Sequence, residues 1–160
     1  GLGDVYKRQI LRFDQIFTEE MRQAMTDQGM SINDAVIIAS MIEKETDGSD
    51  QRRISSVIYN RLTNTSATNG LLNIDATILY ATGGTVVDTS ADTPYNTYRH
   101  AGLPPTAIAN PGADALRAAV NPESTSYYYY ALGDDGVHHF FKTHQEQLSF
   151  IATQERYRNG

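Results

Sequence analysis

Two glutamates, Glu43 and Glu45, stand two residues apart in a stretch that reads as a helix. Side chains at i and i+2 point about 200° apart on a helix, so these two cannot act on one atom together and only one faces a given cleft. Glu45 follows Ile42 by three residues and Ile38 by seven. On that apolar stripe, desolvation would raise its carboxyl pKa and keep a proton available, as a general acid requires. The competing reading of Glu45 is a solvated residue in the helix's last turn. Glu43, on a less apolar face beside Lys44, reads more strongly as solvated.

The second candidate carboxylate is Asp75, read as a substrate-positioning group or as the cap of a segment beginning at Ala76. Tyr95, Asn96 and Tyr98 offer two aromatic faces and an amide. Such a set suits a sugar groove, where rings cover the apolar side of a pyranose and the amide bonds polar groups; Asn96 reads equally as a turn cap. His138 and His139 would lie on opposite faces of a strand, and their spacing fits no zinc motif, which favours a structural or surface role. Arg61 could anchor a carboxylate of substrate or protein, and a surface ion pair is the plainer alternative. Nothing in these patterns implies a metal or a cofactor.

The elements that must carry these residues follow from apolar spacing and breakers. Residues 13–29 show i, i+3/i+4 periodicity and predict a first helix ending at Gly29. Ser31 offers an N-cap, with Asp34 in the first turn, for a mostly buried second helix running through Glu45. Asp47-Gly48-Ser49-Asp50 reads as a turn with a fresh cap, and the period from Ile54 to Leu62 predicts a third helix. An irregular loop and a short helix are expected between Thr63 and Tyr80. The prolines and glycines of 83–112 predict a long structured loop. A short helix over 113–120, a hairpin of 127–132 with 138–141, and a closing helix over 144–157 complete the chain. Strands that neighbour each other, outside the run of helices, imply an α+β fold: a helical lobe with a small antiparallel hairpin.

Composition narrows the class. The 160 residues suit one domain, and the net charge of −6 without a basic cluster argues against a nucleic-acid binder. No apolar stretch reaches the roughly 20 residues of a membrane span. The absence of cysteine removes disulfides and thiolate chemistry. Residues 1–9 show no clear period and read as a non-native leader, leaving 10–160 as a single domain.

The run from Ile38 to Thr46 (IASMIEKET), followed by Ile54 to Leu62 (ISSVIYNRL), resembles the endolytic murein transglycosylases of the MltG/YceG-like family. The resemblance continues in order through Leu72–Tyr80, Pro94–Tyr98, Gly102–Pro105, Ile108–Gly112, Asn121-Pro122, the tyrosine run and Gly136–Thr143. The chain departs from the family at Asn73, where Gln is usual, at Ala76, where Pro is usual, and at Thr106, where Gly is common.

The resemblance implies a lytic transglycosylase that needs no cofactor. Glu45 would be its catalytic acid and base, with Asn73, Asp75, Tyr95, Asn96 and Tyr98 binding substrate. The substrate would be peptidoglycan glycan strands, cut between N-acetylmuramic acid and N-acetylglucosamine to leave 1,6-anhydro ends. A glycoside hydrolase using Glu45 and Asp75, and a non-catalytic glycan-binding domain, are the alternatives. The resemblance further implies an upstream LysM-like region and a membrane anchor outside these residues, action on the outer face of the bacterial cell membrane, and cell-wall synthases as partners.

Overall fold

The computed structural model describes residues 1–46 and 48–158, without the side chains of Gln9, Ile10, Arg12, Phe13 and Ile16. In chain order it contains helices α1 (Leu2–Ile16), α2 (Glu19–Asp27), α3 (Ile32–Glu45), α4 (Gln51–Thr63), α5 (Thr65–Thr68), α6 (Asp75–Thr82) and α7 (Ala113–Val120). Strands β1 (Tyr129–Leu132) and β2 (His138–Phe141), helix α8 (His144–Ile151) and a 3-10 turn (Glu155–Tyr157) follow. This is the α+β arrangement expected, with all described strand structure in one antiparallel hairpin.

α3 is the axis of the molecule. Every residue from Ala35 to Ile42 is buried, so the helix is enclosed on all sides and not merely along a stripe. It packs against α4, α6 and α7. Each fully buried Ile or Met contributes about 1.5–3 kcal/mol of apolar burial, which fixes the helix and whatever its ends carry. A capping box starts it: Ser31 Oγ accepts from the Asp34 amide at 3.0 Å, and Asp34 Oδ2 accepts from the Ser31 amide at 3.2 Å.

Three expectations change. The first helix breaks at Phe17-Thr18, because Thr18 caps a new helix by accepting from the Met21 amide. The periodicity of 13–29 is thus divided between α1 and α2, and the side chains of Phe13 and Ile16, part of that reading, lie outside those described. Residues 2–8, without a visible period in sequence, are helical. The closing helix ends at Ile151, and the remainder is the short 3-10 turn.

The hairpin pairs Tyr129 with Phe141, Tyr130 with Phe140, Ala131 with His139 and Leu132 with His138. Gly136 turns it with φ +79°, a conformation that a residue with a Cβ adopts only at a cost. α8 packs on both strands, and Gln147 donates to the Tyr130 carbonyl at 2.9 Å. The hairpin is joined to the helical lobe by polar side chains of α4: Asn60 donates to the carbonyls of Thr125 and Tyr127, and Arg61 to that of Tyr128.

Candidate active site

Glu45 is the last residue of α3 and Thr46 its C-cap. Its carboxyl meets β1 across a groove, where the Tyr130 hydroxyl donates to Oε2 at 2.5 Å. Burial raises the Glu45 pKa above the ordinary carboxylate range. The Tyr130 hydrogen bond opposes that rise, Asp75 adds to it and His138 opposes it. The negative end of the α3 dipole favours the protonated form further. Tyr130 is itself held well above its usual pKa, first by burial and then by the Glu45 charge, so it remains a donor. A proton on Glu45 therefore belongs on Oε1, since Oε2 is occupied as an acceptor.

Glu43, two residues earlier, does something different. It is half-buried, and its Oε1 accepts from the Gly112 amide at 2.6 Å, where Gly112 is the N-cap of α7. This is a correction to the solvated reading: α7 has no side-chain cap of its own, and Glu43 supplies a negative group at its positive end. The opposed directions expected of the two glutamates hold, one toward a helix N-terminus and one into the groove.

Asp75 begins α6, and its side chain caps nothing. Its Oδ1 accepts from the Tyr98 hydroxyl at 2.5 Å. Burial, then Asp75, raises the Tyr98 pKa, so that phenol also stays protonated. Thr97 places Tyr98 there: its hydroxyl accepts from the Ile74 amide at 2.9 Å and lies 3.0 Å from the Thr77 hydroxyl, and its carbonyl accepts from the Asn73 amide. Asn73 has φ +53°, the left-handed region that Asn tolerates better than most residues with a Cβ. The shorter amide at this position thus has a backbone rationale.

Glu45, Asn73, Asp75 and Tyr98 line one groove of about 680 Å³, together with Arg61, Tyr128, Tyr129, Tyr130 and His138. A second lobe of about 370 Å³ is lined by Thr46, Gly48, Ser49, Asp50, Gly136 and Val137. Glu45, Leu132 and His138 border both lobes, so the carboxyl sits where a long ligand would cross from one to the other. Among the described residues no cluster of three or more His, Cys, Asp or Glu is placed to hold a metal ion.

Tyr95 and Asn96 are not in the groove. Asn96 is fully buried, donates to the carbonyls of Thr89 and Ala91, and accepts from the Tyr98 amide. It organises the 89–98 loop from within and presents nothing to a sugar. The Tyr95 hydroxyl lies 2.8 Å from Thr106 Oγ1 and its ring packs on Tyr80. Arg61 is buried, contrary to a surface ion pair. It donates to the carbonyls of Tyr128 at 2.7 Å and Leu71 at 2.8 Å, with its guanidinium 4.9 Å from the Tyr129 ring centre.

Three groove residues carried no distinct sequence signal. Tyr130 stands in a run of four identical side chains, and nothing in the run says which one reaches Glu45. His138, assigned a structural or surface role by spacing, borders both lobes, with Nδ1 2.8 Å from Asp50 Oδ2. His139 points away to Asp135 and Phe150. Asp50 occupies the N-cap position of α4 but its side chain makes no cap hydrogen bond, which forgoes about 1 kcal/mol. Its oxygens instead take the Thr46 hydroxyl at 2.6 Å and His138. The expected fresh cap is therefore replaced by a brace at the groove; Asp47, in the same turn, lies outside the described residues.

Comparison with known proteins finds relatives of this chain. A crystal structure of a putative YceG-like protein from Listeria monocytogenes superposes with a TM-score of 0.71 at 36% identity, covering 81% of this chain and 43% of that one. The endolytic murein transglycosylase of Bacillus subtilis (strain 168) is 35% identical over 152 residues, 91% of this chain and 41% of its own length. That of Streptococcus pneumoniae serotype 2 (strain D39) is 28% identical over 137 residues, 78% of this chain and 24% of its own. The chain thus spans less than half the length of each of these relatives. The family model of the YceG-like family matches residues 3–153, and the chain belongs to that family.

Proposed function

We propose that this chain is the catalytic portion of an endolytic peptidoglycan lytic transglycosylase, with Glu45 as its single acid and base. The observation that carries this reading is the state of Glu45: a half-buried residue whose carboxyl is largely withdrawn from solvent at the meeting of two groove lobes, with raised pKa and one oxygen held by Tyr130. The curated relatives named endolytic murein transglycosylase supply the substrate class.

In this mechanism Glu45 Oε1 protonates the oxygen between N-acetylmuramic acid and N-acetylglucosamine as the bond from the muramyl C1 breaks. The substrate's own acetamido group stabilises the oxocarbenium-like centre, as in substrate-assisted glycosidases. The Glu45 carboxylate then takes the proton of the muramyl C6 hydroxyl while that oxygen bonds to C1. The enzyme regains its proton, water is not consumed, and the product is a 1,6-anhydro sugar. Tyr130 serves both halves, because its bond to Oε2 fixes the carboxyl in one orientation and eases the formation of the anion. Asn73, Asp75 and Tyr98 bind the strand in the larger lobe.

Glu45→Gln should abolish release of anhydro-muropeptides from purified sacculi, read by mass spectrometry, while the chain remains folded. Anhydro products from that variant would remove Glu45 from the mechanism. Because Glu45 and Asp75 share the groove, hydrolysis is the second reading, and it would leave reducing ends. Glycan binding without turnover in the unsubstituted chain would make it a binding domain. Action outside the cytoplasmic membrane, an anchor beyond these residues and cell-wall synthases as partners belong to the same proposal; no described helix is long and apolar enough to cross a membrane.

A further inference from the structure

His138 is better placed than a structural histidine needs to be. Its side chain is only 13% exposed, and its Nδ1 is engaged by Asp50. Its ring stands edge-on to Tyr130, the residue that holds Glu45. Nε2 has no hydrogen-bond partner among the described residues. Among the described residues the enclosed side-chain polar atoms that lack a partner are Ser55 Oγ and Thr68 Oγ1, so Nε2 is not sealed in protein. The open space that His138 borders is the junction of the two lobes.

Asp50 decides what Nε2 can do. A carboxylate on Nδ1 fixes the proton there, and in the neutral ring Nε2 is then an acceptor with a fixed direction. Thr46, adjacent to Glu45 in the chain, donates to the other Asp50 oxygen, so the brace and the catalytic carboxyl are anchored to one turn. A histidine that only filled space between strand and helix would not need Nδ1 held this way while Nε2 stayed open.

We infer that His138 is a substrate-contacting residue whose Nε2 accepts a hydrogen bond from a hydroxyl or acetamido N–H of a sugar beside the scissile bond, and that Asp50 is the residue that positions it. The inference rests on the reading of the groove as a glycan site. It places a specificity contact at the border the two lobes share, whereas Asp75 lines only the larger one.

The test uses the Glu45→Gln chain, so that nothing turns over, labelled with 15N in histidine. A tetrasaccharide of alternating N-acetylglucosamine and N-acetylmuramic acid is titrated in slightly alkaline solution, with long-range 1H–15N correlation read at each ring. Free His138 should carry its proton on Nδ1, and Nε2 should shift on binding. His138→Phe should weaken binding about five- to tenfold, the size of one lost hydrogen bond. Asp50→Asn keeps the ring and should mix its tautomers while weakening binding by a similar factor. Binding with shifts near Asp75 and Tyr98, a silent His138 and unchanged affinity in both variants would overturn this inference and leave the proposed function standing. No binding anywhere in the groove would remove both.

Discussion

At the level of single residues, the site is a contest over one proton. Burial favours the protonated form of Glu45, and Tyr130 pulls the other way by hydrogen-bonding the anion. An acid that must become a base within one turnover needs both influences, because burial alone would make the carboxylate too costly to form. Tyr130→Phe removes the opposing influence and leaves the burial. The Glu45 pKa should then rise further, so the alkaline limb of the pH–rate profile, where the acid form is lost, should move to higher pH. The rate at its optimum should fall about 10- to 100-fold, since the carboxyl loses its fixed orientation. A profile that stays in place, or moves to lower pH, would mean that the hydroxyl does not act on Glu45. Much of this was legible in the chain: the stripe from Ile38 through Ile42 put Glu45 at a buried helix end, and burial is indeed the first cause of its shift. The partner was not legible, because four consecutive tyrosines give a strand no readable phase.

At the level of elements, the two glutamates of one helical turn serve different places, and the proposed function gives the chemistry to only one. Glu43 ties α3 to the start of α7, and Glu45 faces the groove. Glu43→Ala should cost about 1–2 kcal/mol in urea unfolding, the size of a lost helix cap, with turnover per folded molecule retained. Glu45→Gln should do the reverse. A carboxyl whose folded pKa is raised favours folding below its unfolded pKa, and that contribution is lost as pH rises through the folded value. At neutral pH the uncharged amide should therefore give a Tm higher by about 2–4 °C, and the gap should close in acid below the ordinary carboxylate range. A Glu45→Gln chain less stable than its parent at neutral pH would show that the charge is not a burden on the fold. Helices that carry their own signals were readable, as with the Ser31 cap and the period of α4. What could not be read was which capping residue is diverted: Asp50 and Asp75 look like caps in sequence and each is used by a partner distant in the chain, whereas Asn96 does cap its own turn by accepting from the Tyr98 amide. Local propensity names the residue type, and tertiary contact decides its use.

At the scale of the whole molecule, the groove exists only while the hairpin and the loop before α6 are held to the helical lobe, and Arg61 does both. It rises from α4 beneath the Tyr129 ring and reaches carbonyls on both walls, Leu71 ahead of Asn73 and Tyr128 ahead of the strand. Among the described residues it forms no salt bridge. Burial accordingly lowers its pKa, although a guanidinium remains charged, and its neighbours Tyr129, Tyr130 and Tyr98 favour the cation. A cation compensated by carbonyl dipoles and a ring, and not by a carboxylate, cannot be replaced by a longer-range charge pair elsewhere; its geometry is the interaction. Arg61→Met keeps the packed stem but leaves two carbonyls without their donor, so it should destabilise the chain by about 2–4 kcal/mol. Amide hydrogen exchange should quicken together in residues 71–73 and 128–130, while the amides of α3 keep their ranking as the slowest, because the loss is of sub-global closure and not of the core. Faster exchange in only one of the two walls would mean that they are held independently. An Arg61→Lys chain distinguishes charge from shape: a single ammonium cannot reproduce the fork to both carbonyls, so it should resemble Arg61→Met in exchange rates even though the positive charge is retained.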